Sequence, residues 1–96
     1  MQIFVLERAK RDISETFSFL ASRNEAAADN FIRAIDAKLA HLARFPFIGR
    51  ERSSLSPGLR SLLVGTHLIF HIVEPERISI LRVIDGRMDV DEEFQR

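Results

Sequence analysis

The sequence predicts an α+β fold in which an antiparallel β-sheet of three to four strands packs against an N-terminal two-helix antiparallel hairpin. Two apolar stripes at helical spacing occupy the first half of the chain, and three β-favouring runs broken by turn residues occupy the second. No repeat, linker or low-complexity tract divides them, so the 96 residues are expected to form a single domain, 1–96, around one core.

The opening run Gln2-Ile3-Phe4-Val5-Leu6 is strand-like and free to join the sheet. From Glu7 to Ser22, Ala9, Ile13, Phe17 and Leu20 recur at spacings of four and three, which gathers them on one side of a helix. Asn24 offers a cap to a second helix. Glu25 sits in its first turn, where the helix dipole favours an anion, and Ala26-Ala27-Ala28 is strongly helix-forming. The second stripe is Phe31, Ile35, Leu39 and Leu42, and Pro46 removes the donor needed to continue. Two helices with so short a link lie side by side and antiparallel. Phe45 to Gly58 holds two of the three prolines and two of the four glycines and reads as an ordered loop. Leu59 to Val64, His67 to Val73 and Ile78 to Ile84 then form a meander, turning at Gly65-Thr66 and at Glu74-Pro75-Glu76-Arg77. Leu68, Phe70 and Ile72 face one way and Ile69 and Val73 the other, so both faces of the middle strand are partly apolar, as in a central strand.

Composition narrows the function classes. Apolar residues at 46% and charged residues at 29% suit a chain that folds in water, and no apolar run approaches the ~20 residues of a membrane span, so a cytoplasmic location with no membrane partner is expected. Absence of cysteine excludes disulfides, thiolate nucleophiles and zinc knuckles. Zero net charge gives no general attraction to nucleic acid, so direct nucleic-acid binding is not expected. Charge is nonetheless segregated: Arg44, Arg50, Arg52 and Arg60 face only Glu51, whereas Asp85, Asp89, Asp91, Glu92 and Glu93 outnumber Arg87 and Arg96. Solvated surface with ion pairs between the two zones is the ordinary reading.

His67 and His71 are four apart, which on a strand separates them by roughly 13 Å, too far to share a metal. Ordinary hydrogen bonds on one sheet face are expected of them, and solvation of His41. The serines at 53, 54, 56 and 61 have no histidine and carboxylate pattern beside them, and the acidic tail lacks a calcium-loop pattern. No metal or cofactor is expected. Arginines remain: Arg50, Arg52, Arg60, Arg82 and Arg87. Arg82, flanked by Ile80, Leu81, Val83 and Ile84, must either pair with a carboxylate such as Asp85 or Asp89 or look outward for an anion, and Arg60 is open to both uses.

Phe45-Pro46-Phe47-Ile48-Gly49-Arg50, Pro57-Gly58-Leu59-Arg60-Ser61, the central run His67 to Val73, and Ile80 to Asp89 together resemble the ParE branch of the ParE/RelE toxin superfamily. Members share a P-x-x-G-R loop, a P-G-L-R-S strand start, an I-F-Y-type central strand and an R-V-L-H-G-R-R-D-type ending. Ala9, Asp12, Ile13, Asn24, Ala27, Ala28 and Phe31 fall where the family has its helical hairpin, so the resemblance covers close to the whole chain. Each motif is short, and their order and spacing carry the likeness.

The resemblance implies a RelE/ParE-like fold and the toxin of a type II toxin–antitoxin system, held inactive by a ParD-like antitoxin that dimerises through a ribbon-helix-helix DNA-binding domain. A helical hairpin beside a groove suits an amphipathic antitoxin helix, with Phe19, Ala27, Ala28 and Ile32 as contacts and core packing as the competing role of Ile32. The ParE branch inhibits DNA gyrase without catalytic residues of its own, and the resemblance puts contact at Arg60, Arg82, Arg87 and Phe94. The alternatives are a RelE-like ribosome-dependent messenger RNA endonuclease and an attenuated, non-toxic binding module. The chain has no tyrosine, and Asp85 stands where the related ending carries histidine; a carboxyl of ordinary pKa, about 3.9, is a poor acid near neutrality.

Overall fold

The computed structural model describes residues 1–96. Both stripes form helices, α1 over Glu7–Ala21 and α2 over Glu25–Arg44. Asn24 caps α2 as expected, its Oδ1 accepting the Ala27 N–H at 3.2 Å. Phe45 leaves the helical region at φ −131°, as the residue before a proline must.

β1 (Gln2–Val5), β2 (Arg50–Glu51), β3 (Leu59–Val64), β4 (His67–Val73) and β5 (Arg77–Asp85) make one sheet in the order β1-β5-β4-β3-β2. The α+β class and the covering hairpin match expectation, whereas the sheet has five strands and is mixed. β1 runs parallel to β5, Ile3 beside Ile78 and Val5 beside Ile80, because the helical hairpin carries the chain back across the sheet before the meander begins. β2 is a two-residue strand within the expected loop, and it pairs with Ser61 and Arg60 of β3. Gly49 lets that loop lie down: at φ +101° a Cβ would meet the Ser61 carbonyl oxygen at 2.5 Å.

Between Phe70 and His71 the partners on β5 jump from Arg82 to Ile80, leaving Leu81 as the extra residue of a bulge. The bulge resets the alternation, so that Val83 rejoins the hairpin side and Arg82 stands opposite Phe70.

There are two apolar clusters rather than one core. Ala9, Phe31, Ile35, Leu42, Ile69 and Ile80 belong to the larger, between sheet and hairpin. Leu59, Phe70 and Ile84 form the smaller on the opposite face, covered by Leu55, Val90 and Phe94. Val90 and Phe94 belong to a third helix, α3 (Val90–Phe94), which the acidic tail did not announce; its four-residue apolar spacing is hidden among Asp91, Glu92 and Glu93, and Asp89 caps it through the Glu92 N–H at 3.3 Å. No helix is long and apolar enough to cross a membrane.

Candidate functional site

β1 ends at Val5 and its last contact is Leu6 N–H to Ile80 O at 3.0 Å, so the rest of the β5 edge lacks a strand partner. Asp12 of α1 fills that gap. Its carboxylate, 9% exposed, accepts the Val83 N–H at 3.0 Å and a fork from Arg82, Nε at 2.7 Å and Nη2 at 3.2 Å. Arg82, itself 6% exposed, spends Nη1 on the carbonyl of Glu93 at 2.6 Å. The structural use of Arg82 is therefore the one realised, but with Asp12 and not Asp85 or Asp89, although Arg82 also lines the cleft that Arg87 borders. The signal that points to Asp12 is a lone carboxylate three residues from Ala9 on the buried side of α1.

At the end of β5, Asp85 bends back onto Arg87. Its Oδ1 accepts the Arg87 backbone N–H and Nε, both at 3.0 Å, and Oδ2 accepts Nη2 at 2.6 Å. These bonds from Arg87 hold the Asp85 carboxyl down to about 2. His67 lies across from Asp85 on β4 and packs on the Phe31 ring at 5.1 Å; burial lowers its pKa, against the pull of Asp85. Asp12, Thr16, Phe19, His67, Asp85 and Arg87 border one open cleft of about 290 Å³. Phe19 is thus beside Arg87, with Arg23 stacked on its ring at 4.0 Å.

Arg60 lies elsewhere. It pairs across from His71 while Asp85 pairs across from His67, four residues along β4, which places Arg60 and Arg87 toward opposite ends of the sheet by roughly 13 Å. Arg60 Nη1 donates to the Gly49 carbonyl at 3.3 Å, and its guanidinium sits 5.7 Å from the Phe47 ring. His71 is fully buried, and neither ring nitrogen has a hydrogen-bond partner, contrary to the ordinary bonding expected of it. Burial is the main cause of its lowered pKa; the Pro46 carbonyl comes next and opposes it, ahead of the Arg60 charge, which adds to the lowering, and of the Ile69 carbonyl, which opposes it. The basic and acidic zones form no ion pairs with each other. Asp85, Glu92 and Glu93 pair with Arg87 and Arg96 nearby, because the tail folds beside α1 and β5 while Arg50 and Arg60 occupy the far edge.

On the hairpin, Val5, Ile13, Phe17, Ile32, Ile35 and Leu39 line an apolar groove of about 520 Å³. Ile32 takes both roles foreseen for it, lining the groove and packing on the main core. Phe17, read from the sequence as core stripe, is a groove residue. Ala28 is fully buried and out of reach of a partner, and Ala27 is half-buried. Phe19, 57% exposed, is on a different flank of α1 from Ile13 and Phe17. Phe94 is half-buried against Phe70, ring centres 5.1 Å apart. The four residues expected to touch gyrase thus do not form one patch.

A family model described as the ParE toxin of the type II toxin-antitoxin system parDE matches residues 3–90. The chain is 33% identical to Toxin ParE3 of Caulobacter vibrioides over 88% of its length and 79% of that protein's. It is 37% identical to Toxin ParE1 of Mycobacterium tuberculosis over 67% of its length and 66% of the relative's. The fold is that of a chain from a chromosomal ParDE TA system of P. aeruginosa, with a TM-score of 0.75 at 20% identity, covering 88% of this chain and 95% of the other.

Proposed function

The chain belongs to the ParE toxin family of type II toxin–antitoxin systems, and from that premise we propose that it acts by inhibiting DNA gyrase and is restrained by a ParD-like antitoxin seated in the hairpin groove. The observation that carries the target over the messenger-cleaving alternative is the Asp85–Arg87 pair. A nuclease needs a group that gives up or takes a proton near neutrality, and Asp85, fastened by three bonds to Arg87, stays ionised down to about 2. His71 is sealed in the interior and supplies no such group, which leaves His67, at the border of the cleft and packed on Phe31, as the one histidine that the messenger assay has to judge. Inhibition by binding makes no such demand.

Contact with gyrase is placed on the end of the sheet that carries Arg87 and the C-terminal segment with Phe94, and Arg60 contributes from the far end. The hairpin groove fits an amphipathic helix, whose apolar residues would enter between Ile13, Phe17, Ile32 and Leu39 while Lys10 and Asp36 meet its polar flanks. A ribbon-helix-helix domain on the same antitoxin would then stand free to bind operator DNA.

Purified gyrase is the test, with supercoiling and trapped cleaved DNA scored beside a ribosome-dependent messenger cleavage assay. Inhibited gyrase with intact messenger is expected. Cut messenger with unaffected gyrase would overturn the reading.

A further inference from the structure

α3 has only five residues, too few to hold a helix alone, and it buries little besides Val90 and Phe94. Its attachment to the rest of the molecule is concentrated on one guanidinium. Arg82 Nη1 donates to the end-of-helix carbonyls of Glu93 at 2.6 Å and Phe94 at 3.5 Å, the first of which also accepts the Arg96 N–H at 3.2 Å. Arg8 adds a tie at the same place, Nη1 donating to the Arg96 carbonyl at 3.0 Å while Nε lies 3.6 Å from Asp12. Both arginines are oriented by one group, the Asp12 carboxylate of α1. A carboxylate that accepts the Arg82 fork at Nε and Nη2 leaves Nη1 pointing in one direction, toward the end of α3.

We propose that Asp12 is a positioning residue that acts through Arg82 to latch the segment Val90–Arg96 over the second apolar cluster, and that this latch sets the surface presented to gyrase. Closed, the segment covers Phe70 and Ile84 and holds Phe94 beside the strand end. Open, it leaves that face of the sheet bare and the segment disordered. The part about gyrase rests on the function proposed above; the latch itself does not.

The full chain carrying Asp12→Asn, which keeps an acceptor for the Val83 N–H but loses the charge, is compared with Arg82→Lys, which keeps the charge but loses the fork. Amide hydrogen exchange is followed at Glu93–Arg96 and in the middle of α2, together with the midpoint of gyrase inhibition. Exchange in the C-terminal segment is expected to rise about tenfold beyond any rise in α2, with gyrase inhibition weakened by a similar factor. Equal rises in the segment and in α2 would mean that the pair serves only global stability, and an unchanged segment would mean that Phe94 packing suffices; either result overturns the latch. Should Asp12→Asn fail to fold, Arg82→Lys decides. If the unaltered chain leaves gyrase untouched, the gyrase reading falls while the exchange data still judge the latch.

Discussion

Two residues act here through what burial does to charge. Asp12 and Arg82 are desolvated together, and each makes the other's burial tolerable. Asp12→Ala strands a guanidinium that is 6% exposed, so a loss of about 3–5 kcal/mol in urea unfolding is expected, against less than about 1 kcal/mol for Glu7→Ala, whose Lys10 pair is exposed. Comparable losses at both positions would contradict the assignment. His71 behaves oppositely, being buried neutral with no partner. Its pKa is lowered in the folded state, so as pH falls below about 6.5 the unfolded chain takes the proton first and stability falls, by at most about 1.4 kcal/mol per pH unit. His67 is lowered too and adds to the same slope. His71→Leu is expected to remove its share, making the urea midpoint less sensitive to pH between about 7 and 5; equal slopes for the two proteins would remove His71 from the account. Arg82 needing an acid partner was legible from its apolar neighbours. That the acid is Asp12 was not, because the pairing spans 70 positions and depends on where β1 stops.

Among the elements, α1 has two different flanks. Ile13 and Phe17 line the hairpin groove, while Asp12, Thr16 and Phe19 border the cleft beside Arg87. If the antitoxin helix occupies the groove, Ile32→Glu weakens antitoxin binding at least tenfold by calorimetric titration, and Phe19→Ala changes it by less than about twofold. The reverse ranking would move the antitoxin to the cleft. α3 is the second element with a testable role. Ending the chain at Asp89 uncovers Phe70 and Ile84, and a rise in binding of a hydrophobic dye without loss of α2 helicity is the expected result. Helices α1 and α2 were legible because long amphipathic stripes repeat over several turns. β2 and α3 were not: one is two residues held by the β3 edge, and the other is a charged segment whose two apolar residues matter only because Phe70 lies beneath them.

Across the whole molecule, Arg50 and Arg60 lie at the β2 edge of the sheet and the acidic tail lies near β5, with Arg52 between them over the Phe70 ring that Phe94 also packs on. Arg60 and Arg87 consequently address different surfaces. Arg87→Ala is expected to weaken gyrase inhibition at least fivefold and Arg60→Ala appreciably less, measured as inhibition midpoints at one salt concentration; a dominant Arg60 would move the contact to the β2 edge. What the sequence determined by itself is whatever local periodicity and turn chemistry encode: the helical hairpin, the meander, the apolar faces of β4, the absence of thiol chemistry, and motifs enough to indicate the family. Tertiary structure alone decided the parallel placement of β1, the Asp12 partner of Arg82, the sealing of His71 and the separation of Arg60 from Arg87. Each of these depends on which distant segments come to lie side by side, and a chain's local pattern sets what a segment prefers, not what lies next to it.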